Sequence, residues 1–258
     1  MTATVRIERD GGVGTIVFDH QARRNAMTLD MWEAVPAACA ELEADDEIRT
    51  VVLRGAGETA FVAGADISQF EDRRPGGRGY DQATGDAFGA IEALNKPVIA
   101  LVHGFCIGGG LAMAVAADLR YAADDARFGL PPARLGIGYS AAGTGALVDL
   151  LGPAVTKEII YTADWYDAET ALRWGLVNRV LPKAELDGFV AEQAATIASR
   201  APLSQRAAKL AVADHLRPPD RRRTEEVEAA IRACARSEDY AEGVRAFMEK
   251  RPPVFKGR

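Results

Sequence analysis

Pro97-Val-Ile-Ala-Leu-Val-His-Gly-Phe-Cys-Ile-Gly-Gly-Gly-Leu-Ala112 is the stretch that decides how this chain folds. Val98 to Val102 is a short, apolar, β-branched-rich run bounded by Pro97 and Gly104, the pattern of a buried strand. Leu111 to Ala117 is rich in alanine and reads as the start of a helix, so Gly108, Gly109 and Gly110 mark a strand-to-helix turn. Without β-carbons these three residues let a ligand approach the backbone, and the first amides of a new helix have no intrahelical partner. Free N–H groups placed there suit a developing oxyanion. A tight turn that needs glycine only for its own backbone accounts for the same residues. The local sequence leaves both readings open.

Upstream, Val13 to Phe18 is predicted as a strand after the Asp10-Gly11-Gly12 turn, and Leu29 to Ala44 as a helix whose Leu29, Trp32, Val35, Cys39 and Leu42 follow helical spacing. Pro36 lies inside that pattern and predicts a kink or a late start. Thr50 to Arg54 reads as a second strand. Phe61-Val-Ala-Gly-Ala-Asp-Ile67 reads as a loop of small residues whose backbone could touch a ligand, or equally as a plain turn. Asp72 to Gly79, with Arg, Pro and Gly and little apolar content, predicts a mobile surface segment. Asp81 to Leu94 predicts a helix leading into the central strand.

Downstream, Leu119 to Ala122 is a further short strand, and Phe128 to Gly145 carries Gly and Pro with little periodicity. So long an irregular piece in a compact domain is more often functional than idle. From Pro153 the pattern turns helical. Asp167 is placed to cap Ala168 to Trp174, with Gly175 ending that helix. Helices follow at about Ala184 to Ser199, Leu203 to His215, Arg223 to Arg236 and Ala241 to Glu249.

Composition limits what such a chain can do. With 258 residues and 48% hydrophobic content it can bury a full core. A net charge of −6 offers no basic footprint for nucleic acid. Cys39, Cys106 and Cys234 are odd in number and show no CxxC spacing, which fits reduced thiols in a cytosol. His20, His103 and His215 show no metal-ligand spacing, so no metal is expected. No basic segment followed by an apolar one opens the chain, and every apolar run is too short to span a bilayer; a soluble, cytoplasmic protein without membrane contact is expected.

Two partial motifs carry little. Gly138-Tyr-Ser140-Ala-Ala142 is one residue from the GxSxG nucleophile elbow, but no clear strand precedes it and only His215 lies downstream as a base. Gly136-Ile-Gly138-Tyr-Ser-Ala141 resembles a dinucleotide fingerprint, again without the strand before it or a well-placed acidic residue after it.

Phe61-Val-Ala-Gly-Ala-Asp-Ile67, Lys96-Pro-Val-Ile-Ala100, Gly104-Phe-Cys-Ile-Gly-Gly-Gly110, Asp118-Leu-Arg-Tyr-Ala-Ala123 and Phe128-Gly129 together resemble the crotonase (enoyl-CoA hydratase/isomerase) superfamily. Ala171-Leu-Arg-Trp-Gly-Leu-Val-Asn178 and the tail from Glu249 to Lys256 extend the match over nearly the whole chain. The resemblance implies an α/β fold, a spiral of ββα repeats over residues 1–200, with a helical region at 201–258 that builds homotrimers or hexamers. It also implies an acyl-CoA substrate and no cofactor beyond the coenzyme A that the substrate carries.

Residue by residue, the resemblance places two oxyanion-hole amides at Ala65 and Gly109, which would hold the thioester oxygen as it becomes an enolate. Ala63, Asp66 and Ile67 fall in the loop that meets coenzyme A, with Ala63 and Ile67 lining the adenine pocket, and Arg24 and Lys256 are implied partners for its phosphates. All-surface charge explains Arg24 and Lys256 as readily. The departures from the pattern are as informative. Where typical hydratases carry two glutamates that handle water and the α-proton, this chain has Ala112 and Pro132, and neither can transfer a proton. Water addition would need another acid, such as Glu71 or Asp72 on the segment predicted as mobile, to swing into place.

Leu135-Gly-Ile-Gly-Tyr139, Ser237-Glu-Asp-Tyr-Ala-Glu-Gly243 and the tail from Ala246 to Phe255 are similar to methylmalonyl-CoA decarboxylases of the superfamily. That similarity implies a tyrosine, here Tyr139, aimed at a departing carboxylate. Decarboxylation needs no glutamate base. Those enzymes carry a histidine where this chain has Ala65, so the carboxylate is held differently here or the substrate differs. Three readings stay open: a malonyl-type acyl-CoA decarboxylase, an enoyl-CoA hydratase or isomerase with relocated acids, and a non-catalytic acyl-CoA-binding protein.

Overall fold

The computed structural model describes residues 3–66 and 78–258. In chain order, β1 (Thr4–Asp10), β2 (Val13–Asp19) and α1 (Leu29–Ala44) are followed by β3 (Thr50–Gly55), β4 (Ala60–Val62) and α2 (Arg78–Glu92). The next unit is β5 (Val98–Val102), β6 (Phe105–Ile107) and α3 (Gly109–Ala116). Then come β7 (Leu119–Ala123), β8 (Arg127–Gly129), α4 (Pro132–Leu135) and α5 (Ala141–Thr162). From β3 onward each ββα unit gives its first strand to one sheet and its second to another. The larger sheet has the order β1-β2-β3-β5-β7-β10 and the smaller β4-β6-β8-β9, with β9 at Trp165–Asp167 and β10 at Arg179–Leu181. Pairing is parallel throughout except at the edges, β1 with β2 and β8 with β9. Repeated parallel pairing of this kind is the spiral of ββα units that the sequence led us to expect.

The central strand β5 is buried at all five positions, which is why it reads as an unbroken apolar run rather than an alternating one. One side of the large sheet faces a core built on Trp32, Phe61, Phe128 and Leu111; the other packs Ile99, Leu101 and Tyr121 against α7 (Lys183–Ala198). After α6 (Ala168–Arg173) and α7 the chain ends in α8 (Pro202–His215), α9 (Thr224–Ala235) and α10 (Glu238–Glu249). Lys209 on α8 joins this region to the sheet by an ion pair of 2.8 Å with Asp118.

Several local expectations need correction. Pro36 neither delays nor interrupts α1, which begins at Leu29 with the Thr28 hydroxyl accepting from Met31 N at 3.2 Å. A single missing amide is tolerated because Trp32, Val35, Cys39 and Leu42 are all held in the core. Three-residue strands were missed: β4 lay in what read as a loop, and β6 and β8 were too short for periodicity to show. Phe128 to Gly145 is more ordered than expected. It contains β8, α4 and the first turn of α5, which starts at Ala141 and is bent at Gly152 before Pro153. The segment predicted as mobile, and with it Glu71 and Asp72, lies outside the described residues up to position 77; α2 begins at Arg78.

Candidate active site

The glycine turn is built by positive backbone torsion. Gly108 has φ 58° and ψ −119°, a region that essentially only glycine enters, and its N–H donates to Gly129 O at 2.8 Å. Gly109 is then the first residue of α3, two positions earlier than the sequence suggested, and its amide has no acceptor among the described residues. A β-carbon on Gly110 would overlap the Val62 carbonyl, and one on Gly109 would fall 2.9 Å from Trp32 Cζ2. The glycines are therefore needed for packing as well as for access.

At the far end of α3 the buried Arg120 guanidinium donates to Ala117 O at 2.5 Å and, through Nε, to Leu176 O at 2.9 Å. It meets the helix's carbonyl end with positive charge, the favourable sense for the dipole whose other end is Gly109.

The second amide comes from the segment after β4. A parallel bridge pairs Met27 with Ala65: Met27 N donates to Gly64 O at 2.8 Å and Asp66 N donates to Met27 O at 2.9 Å. In such a bridge the flanking residues make both bonds, so the Ala65 N–H points away from Met27 and finds no acceptor among the described residues. Gly64 is the neighbour of Gly108, since a β-carbon on Gly108 would fall 3.7 Å from Gly64 Cα. Two loops distant in sequence thus bring two unpartnered amides, Ala65 and Gly109, to one place.

Asn25 fixes the approach to that segment. Its left-handed backbone (φ 56°) turns the chain after β2, and its buried amide donates to Ala56 O at 3.0 Å and Ala60 O at 2.8 Å. Ala63 N donates to Arg24 O at 3.1 Å, so Arg24 adjoins the loop, with its guanidinium 4.6 Å from the Phe105 ring centroid. Ala63 and Asp66 are partly accessible; Ile67 lies outside the described residues.

Lys256 is elsewhere. Its backbone amide donates to Asp239 Oδ1 at 2.6 Å, and the next residue, Gly257, packs beside Pro202 and Arg49. Arg49 precedes the start of β3, whereas Asn25, the neighbour of Arg24, lies against Gly55 at its other end, roughly 20 Å away along six residues of strand. Within one chain Arg24 and Lys256 do not converge.

Ala112 sits in the first turn of α3, half-buried, and Pro132 is buried at the first position of α4. Tyr139 stands just before α5, which packs on α3. Its phenol is pushed up to about 12 by burial and so stays protonated, and its hydroxyl makes no hydrogen bond among the described residues. Ser140, the near-match to a nucleophile elbow, is the N-cap of α5, its Oγ accepting from Gly143 N at 3.1 Å. Trp32 appeared in the sequence only as a helical core position, and nothing in spacing marked its contact with Gly109. No group of three His, Cys, Asp or Glu side chains that could hold a metal occurs among the described residues. No described helix is long and apolar enough to cross a membrane.

The family model for enoyl-CoA hydratase/isomerase matches residues 8–258. A short-chain-enoyl-CoA hydratase of Clostridium acetobutylicum is 36% identical over 248 residues, covering 96% of this chain and 95% of that protein. A crotonyl-CoA hydratase of Syntrophomonas wolfei is 36% identical over 256 residues, covering 96% of each. Among solved structures, an enoyl-CoA hydratase/carnithine racemase from Magnetospirillum magneticum superposes with a TM-score of 0.92 at 34% identity, over 100% of this chain and 97% of that one.

Proposed function

Because the chain belongs to the enoyl-CoA hydratase/isomerase family, we propose that it acts on an acyl-CoA thioester whose carbonyl oxygen, on becoming an enolate, is held by the amides of Ala65 and Gly109. Each such donor is worth about 10²–10³ in rate. We propose further that the enolate arises by loss of CO₂ from a malonyl-type acyl group. The bond from Cα to the carboxylate breaks, its electron pair moves into the thioester, CO₂ leaves, and Cα afterwards takes a proton from water. No side-chain base is required and no cofactor is consumed. One observation carries this reading: two unpartnered amides lie together while the nearby positions Ala112 and Pro132 offer no group able to move a proton. Tyr139, neutral and without a hydrogen-bond partner among the described residues, is the donor we assign to the leaving carboxylate.

The names of the hydratase relatives favour a second reading, water addition to an enoyl-CoA using an acid from another position. Crotonyl-CoA and methylmalonyl-CoA separate the two. Release of CO₂ from the second without loss of enoyl absorbance from the first is the expected result; the reverse establishes the hydratase. Saturable binding with neither activity identifies an acyl-CoA-binding protein.

We also assign residues 201–258 to assembly as a trimer or hexamer. Support comes from the apolar side chains that α9 and α10 leave exposed, Ile231, Val244 and Phe247 among them. A role for Lys256 at a coenzyme A phosphate then requires the tail of a second copy. A cytoplasmic setting accords with the free, buried thiols of Cys39 and Cys106.

A further inference from the structure

Of the three tryptophans, Trp165 alone stands in solvent: it is 51% exposed, whereas Trp32 is fully buried and Trp174 half-buried. It is nevertheless held in place. On β9 it pairs with Gly129 of β8, which pairs in turn with Ile107 of β6. A β-carbon on Gly129 would fall 2.9 Å from Trp165 Cδ1 and 3.4 Å from Ile107 Cδ1, so the indole lies back across β8 in the space that glycine leaves. There it meets the Phe105 ring at 71°, with centroids 5.4 Å apart. A large ring fixed in position with half its surface wet contributes little to the core, and the cost of ordering it for a ligand has already been met.

Its neighbours show which end of the molecule it serves. Gly129 O, in the residue beneath the indole, accepts from Gly108 N at 2.8 Å, so Trp165 borders the strand end that carries the glycine turn. Phe105 also holds the Arg24 guanidinium, 4.6 Å from its ring centroid, and Arg24 O accepts from Ala63 N. One ring therefore separates Arg24 from Trp165. Arg24 is exposed and has no acidic partner among the described residues. An aromatic surface with an unmatched cation beside it fits a ligand that carries both a planar base and a phosphate, as a nucleotide does. The apolar side chains of a second copy would instead cover the Arg24 charge without an anion to meet it.

We propose that Trp165 is the stacking platform for the adenine of coenzyme A, and that through it the protein prefers coenzyme A thioesters to thioesters of bare pantetheine. The proposal rests on the acyl-CoA reading of the site and on Arg24 as a phosphate partner. It adds an aromatic side chain to the adenine pocket that the resemblance assigns to Ala63 and Ile67, and it makes Trp165 a specificity residue remote from the reacting atoms.

The test titrates the full-length protein with butyryl-CoA and with butyryl-pantetheine, the same thioester without the nucleotide. Stacking on the indole should move the adenine H2 and H8 resonances of butyryl-CoA upfield, and Trp165→Ala should abolish that shift. The same change should weaken butyryl-CoA about ten- to a hundred-fold, the range of base–aromatic stacking under alanine substitution, and alter butyryl-pantetheine binding less than threefold. Trp165→Phe should keep most of the affinity. Adenine resonances that stay put in the saturated parent, or unchanged butyryl-CoA affinity in Trp165→Ala, overturn the proposal while the acyl-CoA site stands. Equal weakening of both ligands reduces Trp165 to packing against Phe105. A variant that keeps parental butyryl-CoA affinity but loses molar mass in light scattering gives the face to a second copy. If neither ligand binds the parent, the acyl-CoA reading and this proposal fall together. Should Trp165→Ala not fold, nuclear Overhauser contacts between the adenine protons and the Trp165 indole in the parent decide.

Discussion

The Tyr139 phenol occupies the space that a side chain at Gly143 would fill: a β-carbon there would lie 2.8 Å from Cε1, Cζ and Oη alike. Gly143 is four residues on, one turn into α5, so the absence of its side chain sets where the hydroxyl rests. Gly143→Ala should displace the ring. Helix propensity gains about 0.5–1 kcal/mol from the change and the clash costs about 1–3 kcal/mol, so stability should fall by no more than about 2.5 kcal/mol. Turnover of a malonyl-type thioester should fall about ten- to a hundred-fold, as in Tyr139→Phe, because a hydrogen bond to a charged group is worth about 1.5–3 kcal/mol. The double variant should be no slower than Tyr139→Phe. Additive losses in steady-state kinetics would show that the two residues act separately.

Gly109 is a tighter constraint. Its φ is ordinary, so alanine suits the backbone, but the new methyl would press on Trp32, which is fully buried and cannot move aside. Gly109→Ala should cost about 1–3 kcal/mol in denaturant unfolding through overpacking. The displaced amide should cost about 10²–10³ in turnover. Adding Trp32→Phe to Gly109→Ala should return much of the stability.

The frame of the molecule could be read from the sequence wherever elements were long or bounded by strong punctuation. Pro97 and Gly104 bracket β5, and Asp167 caps α6 with its carboxylate accepting from Thr170 N at 2.8 Å. The pairing of Ala65 with Gly109 entered through the family resemblance, since no local pattern states that two loops meet. What stayed hidden depends on tertiary contact. The strands β4, β6 and β8 have three residues each and take their identity from the neighbours they pair with. Trp32 against Gly109 and Tyr139 against Gly143 are likewise contacts across space, invisible to periodicity. Lys256 is placed beside coenzyme A by the resemblance alone, and no pattern in the sequence shows that its backbone is fastened to Asp239.

Away from the site, His103 Nε2 meets Asp187 Oδ1 at 2.7 Å, and Arg54 meets Oδ2 at 3.2 Å, tying α7 to the ends of β3 and β5. Burial by itself would raise the Asp187 carboxyl, but the hydrogen bond with His103 and the charge of Arg54 outweigh it and hold the group below the usual carboxylate range. A depressed carboxyl contributes stability above its unfolded value, near 3.9, and loses that contribution as pH falls through the folded value. Between pH 7 and 5 the parent should therefore unfold at a higher temperature than Asp187→Asn, and the difference should shrink below about pH 4. Parallel melting curves at either end of that range would contradict this account.

The last prediction joins assembly to binding. Tyr240, Val244, Phe247 and Met248 recur at helical spacing on α10, and Phe247 and Met248 are 82% and 75% exposed. They border a cleft of about 630 Å³ shared with Ile231 and Phe255. A contiguous apolar surface of this kind marks an interaction site. The tail beyond it is firmly held: Arg251 makes two bonds to Glu242, at 2.6 and 3.0 Å, and Asp239 accepts from Lys256 N and Gly257 N. Phe247→Asp leaves these tail bonds intact and places a charge in the apolar stripe. Light scattering should show a trimer or hexamer for the parent and a 27.6 kDa monomer for the variant. Because Lys256 and Arg24 lie at opposite ends of one chain's sheet, the monomer should also bind coenzyme A thioesters more weakly, although Ala65, Gly109 and Arg24 are untouched. Lys256→Met in the assembled protein should weaken binding to the same degree, and adding it to Phe247→Asp should cause no further loss. A monomer with parental affinity would mean that each chain carries its whole coenzyme A site.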